Sequence, residues 1–390
     1  MILSFIQRFL LASVAIFLLL ANAFGRQQIN GRTCKTIPAI ESKTTFRIEE
    51  DSESIYVIPV VFHVVYHTDL QNISDQQIWS QLSVLNNDFR RYNADASNTD
   101  EEFKPLATDA KLTFVLADVD PGNRPTDGIT RTKTESTVFS NNDLHDSSAG
   151  GVDGWDPTKY LNIWIAPLAP GLLGYASSVG VSSQFDGIAI HYENVGEEGT
   201  AKEPYHLGRT LTHEMGHYLG MSHLWGNGGC ESDDGIVDTP LQDKALAGCD
   251  VDQSSCDSKD MVQNFMNLAD DDCLNFFTIG QVRVMRSMLT QYKPQLFRKA
   301  TVLNVKNELS GLGKIRFYQK GQGVNEIYLE NITSTGELIL VNSAGRILFS
   351  RTVNQPELPI LADGQWSVGL YIAYYQTQYQ VYATKFILKE

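Results

Sequence analysis

Basic charge is in short supply in this chain of 390 residues: 31 Lys and Arg stand against 46 Asp and Glu, a formal net charge of −15. A surface of that sign repels phosphates, which argues against nucleic acid or an anionic membrane as partner. Cysteine is scarce, with five residues (Cys34, Cys230, Cys249, Cys256 and Cys273), and neither Cys nor His occurs after Cys273. The C-terminal part therefore offers no thiol or imidazole chemistry. Beyond residue 23 no apolar run is long enough for a membrane span. The first 23 residues differ. Arg8, the apolar run Phe9 to Leu20 and Ala21-Asn22-Ala23 supply the charged, apolar and small-x-small parts of a secretory signal. The mature protein is expected to be soluble and secreted, either extracellular or attached to the cell surface, where disulfides are permitted.

Histidine is also sparse, yet three of the eight crowd into THEMGHYLGMSHLW, Thr212 to Trp225. His213 and His217 are one helical turn apart and project from the same face. Gly220 lets the helix end and the chain turn, because glycine reaches positive φ without steric cost. His223 follows as a third ligand. Three neutral imidazoles leave one tetrahedral position open, the arrangement of a catalytic zinc site, and Glu214 is placed as general base. His63 and His67 are expected to be packed or hydrogen-bonded in a strand, and His145 to be solvated. His191 and His206 lack a partner at ligand spacing.

Residues 24–50 are polar and read as a pro-segment, in which the Cys34 thiolate can occupy the open zinc position. At Ile55 the texture becomes β-branched and aromatic, a buried strand. A helix opens at Ser74, and a second strand follows near Leu112. The zinc helix is expected over Leu207 to Leu219. In the acidic loop after it, Asp233, Asp234, Asp238 and Thr239 can supply oxygen ligands for calcium. A further helix runs from Thr278 to about Tyr292. From Val302 alternating strands restart. The expected order is thus signal peptide 1–23, pro-segment 24–50, peptidase domain 51–297 and an all-β domain 301–390.

The extended motif H-E-x-x-H-x-x-G-x-x-H with a methionine turn downstream resembles the metzincin peptidases. YLNIWIAPLAPGLLGYAS, THEMGHYLGMSH, DDGIVDTP, VQNFMN and CLNFFTIGQVRVM together resemble the pappalysin family of metzincins, over Ser54 to Leu296. The resemblance implies an α+β fold: a twisted mixed sheet above the zinc helix, and a mostly irregular lower subdomain. It implies zinc on His213, His217 and His223, Glu214 as base, and Met266 as the floor of the Met-turn. It further implies the pairs Cys230–Cys256 and Cys249–Cys273, Cys34 as a latency switch, and Asp271 in the S1′ pocket. The segment from Asn162 to Leu168 is expected to be the edge strand that pairs with extended substrate. Where many relatives carry a tyrosine near the zinc, this chain has Leu268. In the sequence after Val302, expected to be a small sandwich, GELILVNSAGRILFSRTV, GLYIAYY and the final KFILKE resemble the sorting domain of type IX secretion, which implies an outer-membrane secretion machinery as partner.

The function expected is a secreted zinc endopeptidase, acting on protein or peptide substrates with Arg or Lys at P1′ and made as a zymogen. The alternative is a secreted zinc-containing binding protein with weak or lost activity, motivated by Leu268.

Overall fold

A computed structural model of the protein describes residues 33–36, residues 54–301 apart from 118, 141 and 178–184, and seven strands between 314 and 388. The signal-peptide reading and most of the pro-segment lie outside the described residues.

One thirteen-residue strand, β2 (Ser54–Tyr66), organises the main sheet; β1 is Thr33–Thr36. One flank of β2 pairs in parallel with β3 (Leu112–Leu116) at Tyr56–Val60 and with β4 (Ile129–Lys133) at Phe62–Tyr66. The other flank takes β5 (Leu161–Ala166) in parallel at Val60–Val64. Beyond β5 come β7 (Gly187–His191), parallel to it, and β6 (Leu172–Ala176), antiparallel to β7. The two-residue strands β8 (Ser254–Ser255) and β9 (Ser258–Lys259) form a separate hairpin. β10 (Arg298–Thr301) returns to pair antiparallel with Ser54–Val57. The first sheet thus extends past residue 297.

Both faces of β2 are covered, which explains its near-continuous apolar sequence. Tyr56, Ile58, Val60, Phe62 and Val64 face a core shared with the helices, while Val65 faces a second cluster with Trp164, Ala166, Leu144 and Phe139. Pro59 is tolerated inside this strand for a local reason. The even-numbered residues Tyr56 and Phe62 donate their N–H toward the β3 and β4 flank. Pro59 points the other way, into the gap between β10, which ends at Val57, and β5, which begins at Val60. No ladder bond is lost there.

The expected edge strand is corrected. β5 lies between β2 and β7 and is buried along its length, so it cannot accept a substrate strand. The outer strand of the globular part is β6. A six-residue strand with five apolar residues announces burial but not how many neighbours produce it. On its outer side β6 pairs in parallel with β1, with Cys34 opposite Gly174.

Helix α1 (Asp75–Phe89) is capped by Ser74, whose hydroxyl accepts from the Gln77 N–H. Helix α2 (Arg209–Tyr218) is buried throughout, and α3 (Ile279–Tyr292) opens with the Thr278/Gln281 capping box. Between α2 and α3 the chain is mostly irregular and tied by Cys230–Cys256 and Cys249–Cys273, the pairs the resemblance implies. This mixed α/β architecture is the one that the metzincin resemblance implies. Toward the C-terminus, β11 (Lys314–Lys320), β12 (Val324–Glu330) and β15 (Ile360–Ala362) form one antiparallel sheet. β13 (Gly336–Asn342), β14 (Ile347–Val353), β16 (Gly369–Thr377) and β17 (Val381–Leu388) form another. No helix among the described residues is long and apolar enough to cross a membrane.

Candidate metal centre

Helix α2 carries His213 and His217 one turn apart, and the chain leaves it where expected. Gly220 adopts φ +91°, and the Met221 N–H returns to the Gly216 carbonyl, 2.9 Å away. This turn swings His223 back under the helix. The Nε2 of His217 then lies 3.0 Å from those of His213 and His223, and the last two are 3.3 Å apart. Zinc–nitrogen bonds of about 2.0–2.1 Å at tetrahedral angles put ligand nitrogens about 3.3–3.4 Å apart, so the triangle is of the size a zinc ion requires. Among the described residues it is the single group of three or more His, Cys, Asp or Glu with all ligand atoms within 4.8 Å of one another.

The imidazoles are held from behind. His213 Nδ1 donates to the Phe265 carbonyl, 2.7 Å away, and His217 Nδ1 to the Met221 carbonyl at 2.8 Å. A carbonyl can only accept, so each Nδ1 carries the proton and each Nε2 presents its lone pair inward. His223 stacks on the buried Trp225, with ring centroids 4.3 Å apart and planes 11° from parallel. Glu214, on the same helix, is buried. Across from it stands Gly174 of β6, where a Cβ would meet Glu214 Cγ at 3.0 Å.

Met266 is fully buried beneath α2, and a Cβ on Gly216 would come within 2.3 Å of its Sδ. Gly216 is thus the reason the Met-turn can touch the helix between the two ligands. Two asparagines build the turn. Asn264 Oδ1 accepts from the Met266 N–H, and Asn267 Oδ1 from those of Leu268 and Leu246. Leu268 is buried. Neither nearby tyrosine replaces it. Tyr218 donates to Asp186 at 2.8 Å, and burial, then that carboxylate, hold its hydroxyl well above its ordinary pKa. Tyr175 lies on the far face of the sheet, hydrogen-bonded to His145.

Asp271 is wholly buried, which rules out a surface aspartate in its acidic run. Its Oδ2 accepts from the N–H groups of Leu207 (2.9 Å) and Arg209 (3.2 Å), doing for α2 what its N-cap, Gly208, has no side chain to do. Arg209 pairs with Asp88 and Asp95, and burial draws its pKa down to about 10 against the attraction of Asp271. Two carboxylates therefore pair with one guanidinium at this end of the helix, and the third, Asp271, accepts from the backbone N–H of the same residue.

The acidic loop does not gather as a cage. Asp238 accepts from Thr278 Oγ1 (2.8 Å) and the Gly280 N–H (2.7 Å) at the start of α3. Asp234 accepts from Thr239, and Asp233 from the Gly235 N–H. Cys34 can be placed only by its register opposite Gly174. Four of the remaining five histidines, all but His206, are held by structural contacts. His63 bonds Thr130 and Asn162, His67 the Thr134 carbonyl, and His191 accepts from the Leu168 N–H. His145, expected in solvent, is buried against Trp164 and Tyr175, because the polar loop that carries it covers the second core cluster.

Residues 144–290 match the family described as pregnancy-associated plasma protein-A, a peptidase family. Mature mirolysin of Tannerella forsythia, solved in complex with a cleaved peptide, is 44% identical with a TM-score of 0.60; the match covers 62% of this chain and 94% of that one. A promirolysin mutant from the same organism is 43% identical with the same TM-score, covering 62% and 83%. The extracellular metalloprotease of Arthroderma gypseum is 28% identical over 284 residues, 67% of this chain and 85% of the relative. This chain belongs to the pappalysin family of metalloproteases.

As a pappalysin it is a secreted metalloprotease, and the family implies a metal, usually zinc. Several residues that shape the centre escape a reading of the sequence: Gly174, Gly216, Asp88 and Asp186. Thr212 donates to Asp88 (2.6 Å), and Asp186 links Tyr218 to Lys293, so α2 is fixed at both ends. Only the glycine in the middle of H-E-x-G-H is a visible signal. The two aspartates look like any others.

Proposed function

We propose that this pappalysin is a zinc endopeptidase in which His213, His217 and His223 hold the metal and Glu214 is the general base. The carrying observation is the triangle of inward-facing Nε2 atoms with Glu214 on the same helix. When bound there, zinc supplies Lewis acidity toward the scissile carbonyl and the attacking water. Glu214 accepts the proton of that water and delivers it to the leaving nitrogen. Buried within α2, it exchanges protons away from bulk solvent. Leu268 donates nothing to the developing oxyanion, which leaves that role to zinc and backbone groups or to a tyrosine elsewhere.

Substrate enters as an extended strand on the outer side of β6, the position β1 takes in the full chain. Mirolysin was solved with a cleaved peptide bound, which supports peptide as the substrate class here. The Arg209 guanidinium is taken by Asp88 and Asp95 rather than by Asp271, whose negative charge would attract Arg or Lys at P1′. Residues 24–50 are the pro-segment, with Cys34 as latency switch. The register opposite Gly174 supports this, because Gly174 is the strand position over Glu214. Cleavage at Phe46–Arg47 would release it. Calcium in the loop of Asp233, Asp234, Asp238 and Thr239 is a lesser proposal, supported by the buried Asp234 Oδ2, which has no hydrogen-bond partner. Residues 301–390 are proposed as the sorting domain that engages an outer-membrane secretion machinery.

Cleavage of a mixed peptide library, read by mass spectrometry, tests the reading. Wild type with zinc is expected to cut before Arg and Lys, and Glu214→Ala to cut nothing. Asp271→Asn keeps an acceptor for α2 and is expected to lose the P1′ preference while still cutting. Folded, zinc-loaded wild type that cuts no peptide would move the assignment to a binding protein.

A further inference from the structure

The outer strand β6 alternates its faces. Tyr175 points to the cluster of His145 and Trp164, while Gly174 and Ala176 face the core that contains α2. Gly174 is buried, and its φ is not left-handed, so backbone conformation does not demand a glycine there. Space does. A Cβ at Gly174 would stand 2.9 Å from Ile190 Cδ1, 3.0 Å from the Ala189 carbonyl oxygen and 3.0 Å from Glu214 Cγ. These neighbours yield unequally. Ile190 Cδ1 is the tip of a side chain that can turn aside. The Ala189 oxygen belongs to the backbone of β7, antiparallel to β6, and cannot retreat without moving the sheet. A methyl group is therefore wedged away from β7 and onto Glu214.

We infer that Gly174 is a positioning residue for the reaction: its missing side chain lets the substrate-bearing strand lie directly over Glu214 and fixes where that carboxylate stands. The inference rests on the peptidase reading above and adds the register. Whatever strand lies along β6, the residue opposite Gly174 is the one carried over Glu214. In the full chain that residue is Cys34. In a substrate strand it belongs to the scissile region. Outward backbone pairing of β6 is untouched by a methyl on its inner face, so substrate affinity is unaffected. A shift of a few tenths of an ångström in the base lies on the steep part of the dependence of rate on geometry.

The test is Gly174→Ala in the full chain after removal of the pro-segment, assayed on one fluorogenic peptide. The expected result is a fall in kcat of roughly ten- to a hundredfold with KM within about twofold, and wild-type zinc content and unfolding midpoint. A second variant, Gly174→Ala with Ile190→Val, removes the Ile190 Cδ1 contact and is expected to stay impaired. Unchanged kcat in Gly174→Ala overturns the inference. So does recovery in the double variant, which would place the conflict at Ile190. Loss of the unfolding transition in both variants also overturns it, since Gly174 would then serve the sheet. Activity retained in Glu214→Gln sinks the peptidase reading instead.

Discussion

At the scale of single residues, chemistry is separated from scaffold by what each imidazole faces. The three candidate ligands donate or stack behind themselves and leave Nε2 inward, whereas His63 and His145 are consumed by buried partners. Burial lowers the pKa of both rings from 6.5 to about 4. The unfolded chain therefore binds more protons between these values, and the stability held by the neutral rings is full above pH 6.5 and drains as pH falls through 4. The loss is on the order of 3 kcal/mol per ring. Urea titrations at pH 7 and pH 5 should show wild type losing stability, and His145→Gln losing less. Equal losses would mean that His145 charges freely in the fold. Gly216 offers a second prediction. Gly216→Ala drives a Cβ against Met266 Sδ, and overpacking of this kind costs about 1–3 kcal/mol. Weaker zinc retention should accompany it, and Met266→Ala in the same chain should recover part of the stability.

At the scale of elements, the zinc helix is legible in the sequence because ligand spacing is a property of consecutive residues. His213, His217, Gly220 and His223 need only helical geometry and one turn to meet. What is not legible depends on partners distant in sequence. β5 reads as apolar, but only β7, more than twenty residues later, makes it an interior strand and passes the edge to β6. The short charged β10 carries no apolar alternation, yet it closes a flank of β2. Asp271 hides among Asp270 and Asp272, and its burial follows from the N-terminus of α2 arriving beside it. Asp238 reads as a calcium ligand, and its two hydrogen bonds at the start of α3 come from Thr278 and Gly280. If these bonds are its whole role, Asp238→Ala should cost about 1–2 kcal/mol, the range for losing a helix cap. Calcium chelation should then shift the unfolding midpoint of wild type and variant alike. A wild-type shift that the variant lacks would assign Asp238 to an ion.

At the scale of the whole molecule, the proposed substrate cleft would combine a regular roof with a tied floor. Sheet and α2 form the roof; the floor between α2 and α3 has little regular structure and depends on its two disulfides. They span 26 and 24 residues, and loops of that size stabilise by about 3.5 kcal/mol each in the chain-entropy account. Reductant should lower the unfolding midpoint and the activity together, and activity unchanged in fully reduced protein would show that the floor holds without them. The connectivity of β2 has a kinetic consequence. Its first residue, Ser54, pairs with Thr301, the last of β10. Contacts so distant along the chain make folding slow, because the loop between them must close before the pairing rewards it. A nascent chain cannot finish this sheet until Thr301 has been made, so the catalytic part completes its folding late in synthesis, or after export.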